Sequence, residues 1–125
     1  MAERVRPEMI VVVGLGRFGT ALALELLELD LRLEGHEIVA LAADGEGAVR
    51  CCAEHRPDVL VVDYRMPPGP DGLVAGRKVL EAQTAGRVIV YSNYVDAAVV
   101  QAAEAAGLQW LRKGDLATLR AAVRG

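Results

Sequence analysis

Two apolar runs and a third segment of this chain end in side chains suited to handling a phosphoryl group. Val59-Leu60-Val61-Val62 ends in Asp63, Val88-Ile89-Val90-Tyr91 ends in Ser92, and Trp110-Leu111-Arg112 ends in Lys113. A carboxylate can attack phosphorus and hold the group as an acyl phosphate. A fixed ammonium stabilises the negative charge spread over a group in transfer, and a hydroxyl can donate to its oxygens. Near the N-terminus, Gly14-Leu15-Gly16-Arg17-Phe18-Gly19 offers different chemistry. Glycines at 14, 16 and 19 let the backbone turn tightly and approach a pyrophosphate, and a helix opening there presents unpaired N–H groups to it. Such a nucleotide site also wants an acid at the end of the second strand for the ribose hydroxyls, and Asp44 stands there.

Each of these residues has a plainer reading. An Asp closing a strand is often a turn former, and Ser92-Asn93 suits the cap of a following helix. Lys113 alone is a solvated lysine, Trp110 a core or rim aromatic, and the glycines a tight β-to-α turn without a ligand. What sets the chemical reading above these is that consecutive strand ends are involved, since ligands of open α/β sheets sit beyond the carboxyl ends of the strands.

The positioning elements follow from periodicity. Short β-branched runs alternate with Ala- and Leu-rich stretches of helical period, the pattern of an open parallel sheet. Strands are predicted at 9–13, 37–42, 58–63, 87–91 and 108–111, their near-continuous apolar character fitting burial on both faces. Helices are predicted over about 17–34, 46–56, 71–84, 95–106 and 115–124. The first carries Leu22, Leu26, Leu29 and Leu33 on one stripe and stops at Gly35. The fourth carries Val95, Val99, Ala102 and Ala106 inward and stops at Gly107. The last uses Leu116, Leu119 and Val123. Asp71 and Asp115 suit N-caps. Five strands and five helices give a three-layer αβα sandwich with a doubly wound five-stranded parallel sheet, order 2-1-3-4-5. One domain over 1–125 is expected from the length.

Composition narrows the function classes. The chain is 53% hydrophobic but only 4% aromatic, so aliphatic residues must fill the core. A net charge of −3 argues against a nucleic-acid-binding surface. The adjacent Cys51 and Cys52 make neither a metal cage nor a good disulfide, which fits core filler in a reducing, cytoplasmic setting. No apolar stretch reaches the roughly 18 residues that span a bilayer, and Met1 to Glu8 lack a signal-peptide core. His36 and His55 have no nucleophile nearby in sequence and suit loop or helix-end positions, so an enzyme in the ordinary sense is not expected.

From residue 36 onward the chain resembles the response-regulator receiver family, whose fold is flavodoxin-like. The resemblance rests on Pro57 to Pro67 (PDVLVVDYRMP), Asp71-Gly72, Tyr91-Ser92 and Trp110-Leu111-Arg112-Lys113. It implies that Asp63 is the phosphoacceptor, that Ser92 and Lys113 contact the phosphoryl group, and that Trp110 is the aromatic switch residue. It also implies that Arg65 offers its backbone carbonyl to Mg²⁺ beside Asp63. Two departures are visible: the loop Met66 to Asp71 is one residue longer and richer in proline, and Gly114 follows the lysine where many receivers have proline. The stretch Val13 to Ala23 resembles instead the first βα unit of Rossmann-type domains that regulate potassium transport and bind NAD or ATP.

These resemblances collide after the first strand. Receivers carry two metal-binding acids there, whereas this chain has Gly14 and Leu15. Mg²⁺ usually binds through one or two carboxylates with waters and phosphate, so Asp63 is expected to hold it weakly and to be phosphorylated poorly or not at all. Three readings stay open: a degenerate receiver, a nucleotide- or phosphate-binding module using the glycine loop, and a chimera of the two units, recombined or engineered. The receiver reading implies a histidine kinase or output domain as partner. It also allows a homodimer through the face of the fourth helix, fifth strand and fifth helix.

Overall fold

A computed structural model describes residues 8–13, 32, 35–42, 44–64, 71–92, 96–112 and 116–124. Five parallel strands form one sheet in the order β2-β1-β3-β4-β5. They are β1 (Glu8–Val13), β2 (His36–Ala42), β3 (Val59–Val62), β4 (Arg87–Ser92) and β5 (Gln109–Arg112). Among the described residues, four helices connect or follow them: α1 (Gly45–His55), α2 (Gly72–Glu81), α3 (Ala97–Ala105) and α4 (Leu116–Arg124). The expected order and class hold. The glycine loop and all but Arg32 of the helix expected over 17–34 lie outside the described residues, as does Asp115. Arg32 is helical, and Gly35 at φ +84° donates its N–H to the Arg32 carbonyl, which is the stop anticipated there.

The strands divide their side chains by the two-residue period. Val11, Val13, Leu60, Val62, Val88 and Val90 face Ala48 and Cys52 of α1, Ala75 and Val79 of α2, and Ala103 of α3. Ile10, Val12, Val59, Val61, Ile89 and Tyr91 face Leu119 and Val123 of α4. The inner strands β1, β3 and β4 are thus buried on both sides, which explains their unbroken apolar runs. Each fully buried Val, Leu or Ile contributes roughly 1.5–3 kcal/mol relative to exposure. The β1–β3 seam is closed at its base by Asp58, whose Oδ2 accepts from Met9 N at 2.7 Å while its own N–H donates to the Met9 carbonyl. Among the described residues, no helix is long and apolar enough to cross a membrane.

Several expectations need correction. α2 ends at Glu81 rather than 84, because Gln83 takes a left-handed conformation at φ 57°. Gln83 N donates to Leu80 O and Thr84 N to Val79 O, the paired bonds of a Schellman closure. On α3 the inward residue is Ala103, whereas Ala102 is exposed; Val95 lies outside the described residues. His36 is neither in a loop nor at a helix end but opens β2 and is buried. Its Nδ1 lies 3.3 Å from Glu8 Oε2, off hydrogen-bond geometry, so the contact is an ion pair only when the ring is protonated. Glu8 also faces Arg87, whose guanidinium donates to the carbonyls of Ala122 and Val123 in the last turn of α4.

Candidate functional site at the carboxyl ends of β3, β4 and β5

Asp63 follows β3 directly and is only 6% exposed. Its N–H donates to the Val13 carbonyl at 3.2 Å, so the backbone beyond β3 stays tied to the end of β1. By sequence, Gly14 comes next after Val13. Ser92 is the last residue of β4 and is 3% exposed. It stands in register with Arg112, the last residue of β5, and Lys113 is the next residue in the chain. Asp63 lies one residue past Val62, which pairs with Val90, two residues before Ser92. The sheet therefore brings Asp63 and Ser92 to one rim, with the chain leading into Lys113 from the adjacent strand. Lys113, Arg65, Gly14, Gly16 and Gly19 lie outside the described residues.

Ser92 does not cap the next helix. That work is done by Asp96, whose Oδ1 accepts from Ala98 N at 2.9 Å and Val99 N at 3.2 Å. Asp44, considered for a ribose, caps α1: its Oδ1 accepts from Gly47 N at 2.7 Å. Asp71 caps α2 as expected, accepting from Val74 N at 2.9 Å. All three satisfy N–H groups that a helix start leaves without an internal partner.

Trp110 lies on β5 in register with Val90 and packs on the face covered by α1 to α3. Its ring meets that of Tyr64, the residue after Asp63, with centroids 5.3 Å apart and planes tilted by 53°. The indole Nε1 is buried and has no hydrogen-bond partner among the described residues. Sequence reasoning missed Tyr64; its position beside Asp63 was the available signal. It also missed the packing role of Gly72, whose N–H donates to the Tyr64 carbonyl at 2.7 Å and seats the first turn of α2 at this rim.

Burial pushes the Cys52 thiol up to about 12, with the neighbouring Cys51 adding to the effect. Cys52 is therefore a protonated apolar filler at neutral pH rather than a nucleophile. Among the described residues, no group of three His, Cys, Asp or Glu side chains converges as a metal site.

Comparison with known proteins agrees with the fold. The family model for the response regulator receiver domain matches residues 20–124. The oxygen regulatory protein NreC of Staphylococcus haemolyticus is 43% identical over 63 residues, covering 50% of this chain and 29% of that protein. This chain thus spans under a third of the curated relatives it matches. The signal receiver domain of the response regulator NarL from Mycobacterium tuberculosis superposes with a TM-score of 0.80 at 27% identity, covering 96% of this chain and 95% of that one. The CheX–CheY–BeF3–Mg²⁺ complex from Borrelia burgdorferi gives 0.77 at 26% identity, covering 92% and 85%. With the fold and the matched segment in agreement, the chain belongs to the response regulator receiver domain family.

Proposed function

We propose that this chain, as one domain over 1–125, is a phosphorelay receiver in which Asp63 is the phosphoacceptor, and that it has lost most of its capacity for phosphorylation. In this reading Ser92 and Lys113 contact the phosphoryl group and Trp110 is the switch aromatic. The observation that carries it is the buried Asp63 at the end of β3, with Ser92 at the end of the neighbouring strand. Transfer from acetyl phosphate would form a bond between an Asp63 carboxylate oxygen and phosphorus, while the phosphorus–oxygen bond to acetate breaks and acetate leaves.

Receiver domains bind Mg²⁺ in general, but the residues here do not fit a site of paired acids. The chain continues from Val13, beside Asp63, into Gly14 and Leu15, neither of which carries a carboxylate. Arg65 would contribute at most a backbone carbonyl. Incubation with acetyl phosphate and Mg²⁺, read by intact mass, is expected to add little or no phosphate to this chain. A rapid, near-complete gain of one phosphate would overturn the loss of capacity. Restoring the acids with Gly14→Asp and Leu15→Asp is expected to allow that gain, and adding Asp63→Asn to abolish it. If the restored chain takes up nothing, the role given to Asp63 falls.

A second reading rests on the glycine loop Gly14, Gly16 and Gly19 in the sequence, which precedes the matched segment. Under it the first βα unit is Rossmann-like, joined to a receiver body, and binds NAD or ATP through Gly14, Gly16 and Gly19 with Asp44 nearby. A ligand at a hundred times its Kd stabilises by about 2.7 kcal/mol, so a thermal-shift screen separates the readings. Stabilisation by NAD, ATP or ADP supports the second; stabilisation by beryllofluoride with Mg²⁺ supports a working receiver pocket.

As a receiver, the chain would take a histidine kinase as phosphoryl donor and act in the cytoplasm on an output domain. It would contact no nucleic acid itself. The face of α3, β5 and α4 is the proposed surface for that partner or for a second copy. None of this makes it an enzyme in the ordinary sense.

A further inference from the structure

We propose that Gly72 is a positioning residue for Asp63, holding the Asp63–Tyr64 peptide in place because it has no side chain. Gly72 opens α2 directly after the Asp71 cap, with no positive φ, so its backbone conformation is open to any residue. Space is what excludes a side chain. A Cβ there would overlap the Asp63 carbonyl oxygen and lie 2.8 Å from the Asp63 carbonyl carbon and 3.0 Å from Tyr64 Cα. These are backbone atoms at the end of a buried strand and cannot swing aside as a side-chain tip can. The Gly72 N–H meanwhile donates to the Tyr64 carbonyl at 2.7 Å. The start of α2 therefore packs against the peptide that follows Asp63 and binds the Tyr64 carbonyl just beyond it, while the bond from Asp63 N to the Val13 carbonyl fixes the peptide before Asp63.

The same helix supplies a control. A Cβ at Gly76 would also be tight, at 2.9 Å from Leu108 Cδ2 and 3.1 Å from Val88 Cγ1, but those are side-chain atoms in the core. Gly76→Ala disturbs packing without touching the Asp63 backbone. Gly72→Ala must move either α2 or the phosphoacceptor.

The inference rests on the proposed role of Asp63, so the test is built on the acid-restored chain (Gly14→Asp, Leu15→Asp). Phosphate uptake from acetyl phosphate with Mg²⁺ is followed by intact mass, well below the melting temperature of every variant. A misplacement of about 1 Å can slow a reaction about a hundredfold, and a loss of that order is expected on adding Gly72→Ala. Adding Gly76→Ala should lower the melting temperature yet leave the uptake rate of the folded protein close to its parent's. Equal rates with and without Gly72→Ala overturn the proposal while leaving Asp63 as acceptor. No uptake by the acid-restored parent removes the acceptor role, and this proposal with it. Should Gly72→Ala fail to fold, amide hydrogen exchange on the unmodified chain decides: the Gly72 N–H should exchange as slowly as the interior of α2, and a loop-like rate overturns the proposal.

Discussion

Tyr64 and Trp110 bring the residue after Asp63 into ring contact with β5, on the sheet face covered by α1 to α3, at a centroid distance of 5.3 Å. Tilted aromatic pairs of this kind are worth about 0.5–1.5 kcal/mol beyond their buried area. Tyr64→Leu keeps most of the bulk and loses the pairing. We expect it to lower stability in urea by about 1 kcal/mol. Because Trp110 is the only tryptophan in the chain, its near-UV circular dichroism should weaken in the same variant.

Gln83 holds the left-handed position after α2 that glycine normally fills. A side chain there costs about 1–2 kcal/mol, partly offset by the extra freedom that glycine has in the unfolded chain. Gln83→Gly is accordingly expected to stabilise the fold by about 0.5–1 kcal/mol. Unchanged or lower stability in a urea titration would contradict this.

Arg87 ties the last turn of α4 to the sheet through the Ala122 and Val123 carbonyls, with Glu8 beside it. The guanidinium is partly exposed, so solvent weakens the ion pair with Glu8. Arg87→Gln should cost about 1–2 kcal/mol, and amide exchange should rise first at residues 122–124 rather than evenly along α4.

Loss of the Asp96 side chain should destabilise α3 by about 1 kcal/mol, because two N–H groups lose their acceptor. Ser92→Ala should leave the exchange rates of α3 unchanged. Equal fraying of α3 in both variants would show that Ser92 caps the helix after all.

The buried Cys52 thiol gives stability a dependence on alkaline pH. Its folded-state pKa of about 12 lies above the ordinary 9.0, so the folded protein holds this proton more tightly than the unfolded chain. Stability from this group is whole below pH 9 and is lost as pH rises from there towards 12. Cys52→Ala should lower stability at neutral pH by leaving a small cavity and flatten the decline above pH 9. A thiol reagent at pH 8 should modify the half-buried Cys51 well before Cys52.

How far these features could be read from the chain depends on whether local rules or distant neighbours set them. Val59 to Val62 announced a strand buried on both faces, and Gly107 marked the end of α3, because both signals are local. Gln83 was opaque because the Schellman closure it completes normally carries glycine, and only the bonds to Val79 and Leu80 reveal it. His36 was misread as a loop or helix-end residue because its place in β2 is set by pairing with Glu8 of β1, which is distant in sequence. Asp63 and Ser92 were legible as residues at the carboxyl ends of β3 and β4, because each closes an apolar run. The ring partner Tyr64 and the close approach of Gly72 were not, since each depends on a segment folded over from elsewhere.

The sheet order also decides how the two halves of the polypeptide depend on each other. Among the described residues β2 pairs only with β1, and β1 meets the later strands through four residue pairs, Ile10↔Val59 to Val13↔Val62. Translation delivers β1 first, yet its second neighbour emerges only some fifty residues later. Pairing between such distant segments slows folding and leaves an apolar edge uncovered in the meantime. The nascent chain is thus open to aggregation until Val59 to Val62 arrive to close the gap.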